Sequence, residues 1–275
     1  MRGQPFVFVT VDGTSLRLTD RKYTKDFGAI GTTKLGARGL KVIHSYAVSS
    51  DGVPLGIVDQ QWWNRVPQKK RNDCRRRVVA EKETRHWLRT IEASNERLAA
   101  SKTRLWFQID REGDRYATLK SLHDTGQWFT ARSTYGSRFV RNGRRKERLA
   151  EVLARTPPRG TYRLFVRSRD DRKGRMATLR IHTTSVVLDM FERATRERYL
   201  LPVNIVDVHE MGTIPDGEEP IHWRLVTNHS IDTDEDVALV LYGYTQRWRI
   251  EDLHKRGSQG PAEWKIRSYV RPGVL

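Results

Sequence analysis

Apolar positions recur along the chain with a strand period in some stretches and a helix period in others. Phe6-Val7-Phe8-Val9-Thr10-Val11 is β-branched and aromatic and predicts a buried strand, with the alternating Leu16-Arg17-Leu18 as its hairpin partner. Leu40 to Val48 and Val53 to Val58 predict a second strand pair around the turn Ser50-Asp51-Gly52. Lys69 to Arg77 reads as a basic surface loop. Glu81 to Leu98 has helical spacing, with Trp87, Leu88, Ile91 and Leu98 on its apolar side. Leu105–Ile109, Arg115–His123 and Trp128–Ala131 then read as strand, helix and strand, a βαβ unit that implies a mixed α/β sheet.

The pattern changes after Ala131. Arg132 to Arg159 is basic and broken by Gly136, Gly143 and Pro157-Pro158. From Gly160 to Pro220, short strands at Tyr162–Val166, Ala177–Thr183 and Leu200–Val206 are separated by turn residues, so this stretch reads as an all-β insertion; with one more strand at Trp223–Thr227, residues 132–230 as a whole read as a β-rich insertion. Thr233-Asp234-Glu235-Asp236 resembles a capping box and opens a helix carrying Val237, Val240, Leu241, Tyr244 and Trp248. Gly257, Gly260 and Pro261 are expected to stop it. The core would thus comprise residues 1–131 and 231–256, with 257–275 as a divergent tail.

Charge narrows the partners. The 275 residues carry 51 Lys+Arg against 33 Asp+Glu, a net charge of +18, and the excess is mostly Arg. Arg grips phosphate in bidentate fashion, so nucleic acid or another polyanion is the expected partner. Cys74 is the single cysteine, which excludes an internal disulfide and a cysteine-based zinc site and fits a reducing cytoplasm. No apolar stretch is long enough to span a bilayer, and no signal peptide follows Met1.

Carboxylates carry the candidate chemistry. Asp12 ends the first strand and Asp110 ends the strand Leu105–Ile109; side chains at the carboxyl ends of adjacent parallel strands can converge. Tyr244, Arg247, Glu251 and Lys255 fall on one stripe of the last helix, which sets an acid among cations and an aromatic ring. Three carboxylates suit Mg²⁺, and two such ions about 3.5–4 Å apart can serve both the attacking and the leaving oxygen of a phosphodiester. Each residue also has a plainer reading. Asp12-Gly13 is a hairpin-turn dipeptide, Asp110 could cap a helix, and Glu251 could form i,i+4 ion pairs on a solvated face.

Together these residues resemble the DDE transposases of bacterial cut-and-paste elements, of the transposon-five and insertion-sequence-four type. The likeness runs from about Val11 to Lys255. Val11-Asp12-Gly13-Thr14-Ser15-Leu16 is similar to the family's first catalytic segment, and Asp110-Arg111-Glu112-Gly113-Asp114 to its second. Gln60-Gln61-Trp62-Trp63 and Glu83-Thr84-Arg85-His86-Trp87-Leu88 recur in similar places, with Trp62 and Trp63 read as packing residues. Tyr244, Arg247 and Glu251 match its Tyr-Arg-Glu-Lys signature.

The resemblance implies an RNase H-like catalytic core with a β-rich insertion before the last catalytic helix. It implies two Mg²⁺ ions, with Mn²⁺ as substitute, held by Asp12, Asp110 and Glu251. It implies cutting and joining of double-stranded DNA at transposon ends: water cleaves one strand, the freed 3′-hydroxyl makes a hairpin, and the 3′ ends finally attack target DNA. Trp223 would stack on a flipped base, though it also reads as a core strand residue, and Arg132 would contact DNA. Tyr244, Arg247 and Lys255 would hold phosphate. Family members act as homodimers, and a nucleoid-associated cytoplasmic location follows.

The chain also departs from the pattern. Ser258 stands where the signature Lys is expected, and the likeness stops at Arg256. The end-recognition and dimerisation segments are expected to be missing, as in a truncated or frameshifted copy. Two other readings remain: a non-enzymatic basic DNA-binding protein, and an RNase H-like nuclease without strand transfer. A glycoside hydrolase also uses paired carboxylates, but the +18 charge argues against one.

Overall fold

The apolar run of β1 (Phe6–Arg17) alternates its side chains between two packed faces, so both sides of the strand are buried. The computed structural model describes residues 5–19, 25, 27–31, 37–65, 77–133, 135–168 and 173–259, with side chains through Lys255. Cys74, most of the basic loop Lys69–Arg77 and the residues from Gly260 onward lie outside the described residues.

β1 is longer than the sequence suggests. It continues through Asp12 and Gly13 to Arg17 because β3 (Arg38–Ser49) pairs with it antiparallel along its whole length, from Val7 opposite Ser49 to Arg17 opposite Gly39. Asp12-Gly13 is therefore not a turn, and Leu16-Arg17-Leu18 is not a separate hairpin partner. On its other side β1 runs parallel to β5 (Arg104–Ile109), with Val11 opposite Ile109. The hairpin β3–β4 (β4, Pro54–Trp63) turns where Ser50-Asp51-Gly52 predicts. The expected βαβ unit is present: β5, α2 (Tyr116–Asp124) and β6 (Trp128–Ser133), with β5 and β6 parallel.

Beyond β6 the sheet does not stop. β12 (His222–Thr227) pairs with β6 and leads through β11 (Arg198–Met211) and β10 (Arg175–Phe191) to the hairpin β7 (Phe139–Asn142) and β8 (Arg145–Arg148). β9 (Pro158–Val166) pairs with β10, and β2 (Gly28–Ala29) with β3. Among the described residues the result is one mixed, β-rich sheet of 12 strands with few helices. β10 and β11, at 17 and 14 residues, are long rather than short. A helix, α3 (Leu149–Arg155), precedes these strands, in the basic stretch before Gly160.

One face of the sheet packs α1 (Thr84–Leu98), α2 and α3 through Trp87, Ile91, Leu119, Leu122 and Leu149. The other packs α4 (Asp234–Gln246) and α5 (Trp248–Gln259) through Val240, Leu241, Tyr244 and Ile250 against Phe8 and Trp106. The capping box at Thr233 forms: its hydroxyl accepts from the Asp236 amide at 3.1 Å, and the Asp236 carboxylate accepts from the Thr233 amide at 3.2 Å. Arg247 interrupts the expected single helix, but its own backbone is helical (φ −55°, ψ −33°), so the stripe carries on into α5. α5 runs through Gly257 to Gln259 instead of stopping at Gly257. Among the described residues no helix is long and apolar enough to cross a membrane.

Candidate carboxylate centre

Parallel pairing of β1 and β5 sets the centre. Val11 lies opposite Ile109, so the next residue of each strand, Asp12 and Asp110, leaves the parallel ladder at the same level. Asp110 precedes a short 3-10 turn (Arg111–Gly113) and makes no capping hydrogen bond with its side chain. Gly113 is required there, because a Cβ would sit 2.3 Å from the Ile109 side chain and 3.0 Å from Trp87. α5 brings in Glu251 from the α4–α5 face.

Arg247 joins the three acids. Its Nη2 donates to Glu251 Oε1 at 2.5 Å, and its Nη1 lies 3.5 Å from Asp12 Oδ2 and 3.7 Å from Asp110 Oδ2. The guanidinium is buried, with a side chain only 6% exposed, while the Asp12, Asp110 and Glu251 side chains keep openings of 16%, 24% and 32%. Tyr244, fully buried beside it, donates its hydroxyl to Asp110 Oδ1 at 3.4 Å. The Glu251–Arg247 pair is thus the i,i+4 pair of the plainer reading, but it points inward to the two aspartates and not to a solvated face.

One positive charge faces three carboxylates, and the electrostatics register the imbalance. Burial pushes the Asp12 carboxyl up to about 7, against the opposing pull of Arg247 and of a 2.8 Å hydrogen bond from the Gly13 amide; Asp110 and Glu112 push it up further. Burial also raises the Tyr244 hydroxyl, keeping it a neutral donor. Arg247 is held firmly protonated by the anionic groups around it, although burial alone would lower it. Its Nε and Nη1 are buried and make no hydrogen bond. The donors are all hard oxygens of the kind divalent cations prefer, but around Arg247 their ligand atoms do not all lie within 4.8 Å of one another.

A second titratable pair borders the centre, and only one of its members left a signal in the sequence. His44 of β3 lies opposite Asp12 in the ladder, and its Nδ1 is 3.1 Å from Nε2 of His254 on α5. Burial lowers both imidazoles, His254 to about 4, where His44 and Arg247 add to the effect. His254 follows Glu251 by three positions and so shares its helix face, a signal present in the sequence. His44 gave none, because only the strand register places it there.

The residues expected to touch DNA separate into two groups. Lys255 is exposed, and Arg132 is half-buried at the end of β6, where its Nη2 donates to the His222 carbonyl at 2.9 Å. Tyr244 and Arg247 are buried among the carboxylates instead of facing solvent. Trp223 is 5% exposed, with its ring 5.1 Å from Tyr244 and 6.1 Å from Trp248, both edge-on. A base could reach the face of Trp223 only if one of those neighbours moved. Trp63 packs as expected, stacked 4.1 Å from His86, whereas Trp62 is 45% exposed.

Among the described residues, the one group whose ligand atoms lie close enough together to hold a metal ion is Asp207, His209 and His222 on β11 and β12; Asp12, Asp110 and Glu251 are not such a group as they stand. No protein-family model matches this chain.

Proposed function

We propose that this chain is a metal-dependent DNA phosphoryltransferase of the DDE transposase type, built on an RNase H-like arrangement of β1, β5 and α5. The observation that carries the reading is the single guanidinium of Arg247, within 3.7 Å of oxygens from Asp12, Asp110 and Glu251, residues far apart in sequence. Asp12, Asp110 and Glu251 would hold two Mg²⁺ ions, or Mn²⁺ in their place. Those ions, when bound, would activate the attacking oxygen and stabilise the leaving one. Arg247 orients Glu251 and tempers repulsion among the acids before a cation arrives. Tyr244 orients Asp110 through its neutral hydroxyl. The +18 charge supports double-stranded DNA as the substrate, with the exposed Lys255 and the half-buried Arg132 as its contacts.

The test is cleavage of double-stranded DNA carrying the ends that flank this reading frame, with Mg²⁺ or Mn²⁺. Asp110→Asn should lower the rate by about 10⁴-fold, the scale seen when one member of a concerted catalytic unit is removed. Equal rates in both proteins would remove Asp110 from the mechanism.

One observation favours a non-enzymatic DNA-binding protein: Arg247 already supplies a countercharge inside the cluster. That reading predicts that Mg²⁺ leaves the melting temperature unchanged. The catalytic reading predicts a rise in Tm with Mg²⁺ that is lost in Asp110→Asn, since a ligand bound only by the native state stabilises it.

A further inference from the structure

β11 and β12 carry a block of four polar side chains on the sheet face away from α4. Their register puts Asp207 directly opposite Arg224 and His209 directly opposite His222. Asp207 and His209 are two apart on one strand and therefore point the same way. Both imidazoles turn Nε2 toward one carboxylate: His209 Nε2 lies 2.5 Å from Asp207 Oδ2, and His222 Nε2 lies 3.2 Å from Oδ1. Arg224 donates Nε–H to Oδ1 at 2.9 Å. The two rings stack, 4.1 Å between centroids. Asp207 is 1% exposed while both histidines are about half open to solvent, so the block has a buried floor and an accessible mouth.

We propose that His209, His222 and Asp207 form a site for a borderline transition-metal ion of the Zn²⁺, Co²⁺ or Ni²⁺ class, separate from the carboxylate centre and independent of the function proposed above. Two imidazole nitrogens and one carboxylate oxygen suit these ions and not Mg²⁺, which prefers an all-oxygen shell. The ligand atoms already lie within 4.8 Å of one another. In neutral imidazole the proton can reside on Nδ1, which frees the Nε2 lone pair for the ion. Asp207 would use Oδ2, the oxygen that faces His209. Arg224 would keep its bond to Oδ1 and so fix the carboxylate's orientation, the part an outer-shell partner plays in metal sites. Three protein ligands leave one position open to water, as in sites that are not purely structural.

Location gives the ion a structural consequence. Met211 ends β11 and His222 begins β12, so the site ties the two strands together at the end where they are joined. Trp223, the next residue, turns to the opposite face and packs on Tyr244. An ion on His222 would therefore secure the strand that backs the carboxylate centre.

The experiment uses the untagged full chain, stripped with chelator and titrated with Zn²⁺ by calorimetry and with Co²⁺ by visible absorption. The expected result is one saturable equivalent, a Co²⁺ spectrum with nitrogen ligation, and a Tm that climbs with Zn²⁺ concentration. His209→Ala and His222→Ala should each abolish all three signals, and both residues are exposed enough for the variants to fold. Asp110→Asn should retain them, which separates this site from the carboxylate centre. Absence of saturable binding would overturn the proposal and leave a hydrogen-bonded cluster that neutralises Asp207. Binding that survives His222→Ala would overturn it equally, by placing the ion elsewhere.

Discussion

A buried carboxyl with too little positive charge around it gives Asp12 a pH signature. Its folded value of about 7 lies above the ordinary 3.8, so the native state keeps a proton that the unfolded chain releases. Stability from this group is fully present below about pH 4 and is lost as pH rises through about 7, at about 1.4 kcal/mol per pH unit. Asp12→Asn mimics the protonated acid. In metal-free buffer its stability should equal that of the wild type near pH 4, exceed it increasingly towards pH 7, and then stay level. Urea melts across that range would check this, and a difference that does not change with pH would mean that Asp12 is ionised throughout. That Asp110 follows β5 and that Glu251 shares a helix stripe with Arg247 could be counted from the sequence, whereas Asp12 read as a strand end and in fact lies within β1. The place of Arg247 was not legible. A cation one turn before Glu251 reads equally well as a phosphate contact, and only packing turns it inward to Asp12 and Asp110.

At the scale of elements, α4 reaches the sheet because Gly243 lets it. A Cβ there would meet Phe8 Cε1 at 2.6 Å and Gln108 Nε2 at 3.2 Å. Phe8 cannot yield easily, since it is wholly buried with Phe6, Trp106 and Tyr242 rings at 5.2, 5.4 and 6.0 Å. Gly243→Ala gains about 1 kcal/mol of helix propensity but incurs about 1–3 kcal/mol of overpacking, so a net loss is expected. It would also shift Tyr244, the next residue, away from Asp110. Gly160→Ala is the control, because nothing lies within 4 Å of its added Cβ. Denaturant midpoints that move equally in both would refute the close-packing argument. Elements with strong apolar periodicity were readable: α1, β5, α2 and β6 fall within a few residues of where the sequence puts them. Elements defined by their partners were not. β1 passes through Asp12-Gly13 because β3 supplies the ladder, and β10 continues through Thr183-Thr184-Ser185 because β11 does. Asn142-Gly143 did carry a hairpin signal, hidden in a basic stretch; Gly143 adopts φ +59° at the β7–β8 turn. His209 and His222 become neighbours only through strand register, which no spacing along the chain reveals.

At the scale of the molecule, the stretch that reads as an insertion is wired into the core. β6 and β12 pair at four positions, from Arg224 opposite Ser133 to Thr227 opposite Thr130. Their contact is reinforced by Thr227 donating to the Phe129 carbonyl at 2.6 Å and by the Asn228 side chain accepting from the Phe129 amide at 2.8 Å. Both apolar clusters also cross the boundary: Val186, Leu188 and Leu201 pack in the cluster of Val7 and Val9, and Val206, Val208 and Leu225 in that of Phe8 and Trp106. Removing β10–β12 would strip cover from both faces of β6 and expose buried backbone on its free edge. The two parts should therefore unfold together. Scanning calorimetry should give one transition whose van't Hoff and calorimetric enthalpies agree, the signature of a single cooperative unit. Two resolved transitions would mean that residues 132–230 form their own domain despite the shared sheet. The single transition matters for the carboxylate centre, because Trp223 of β12 packs on Tyr244, and Tyr244 holds Asp110. A cooperative sheet makes the position of Asp110 depend on strands that never touch it.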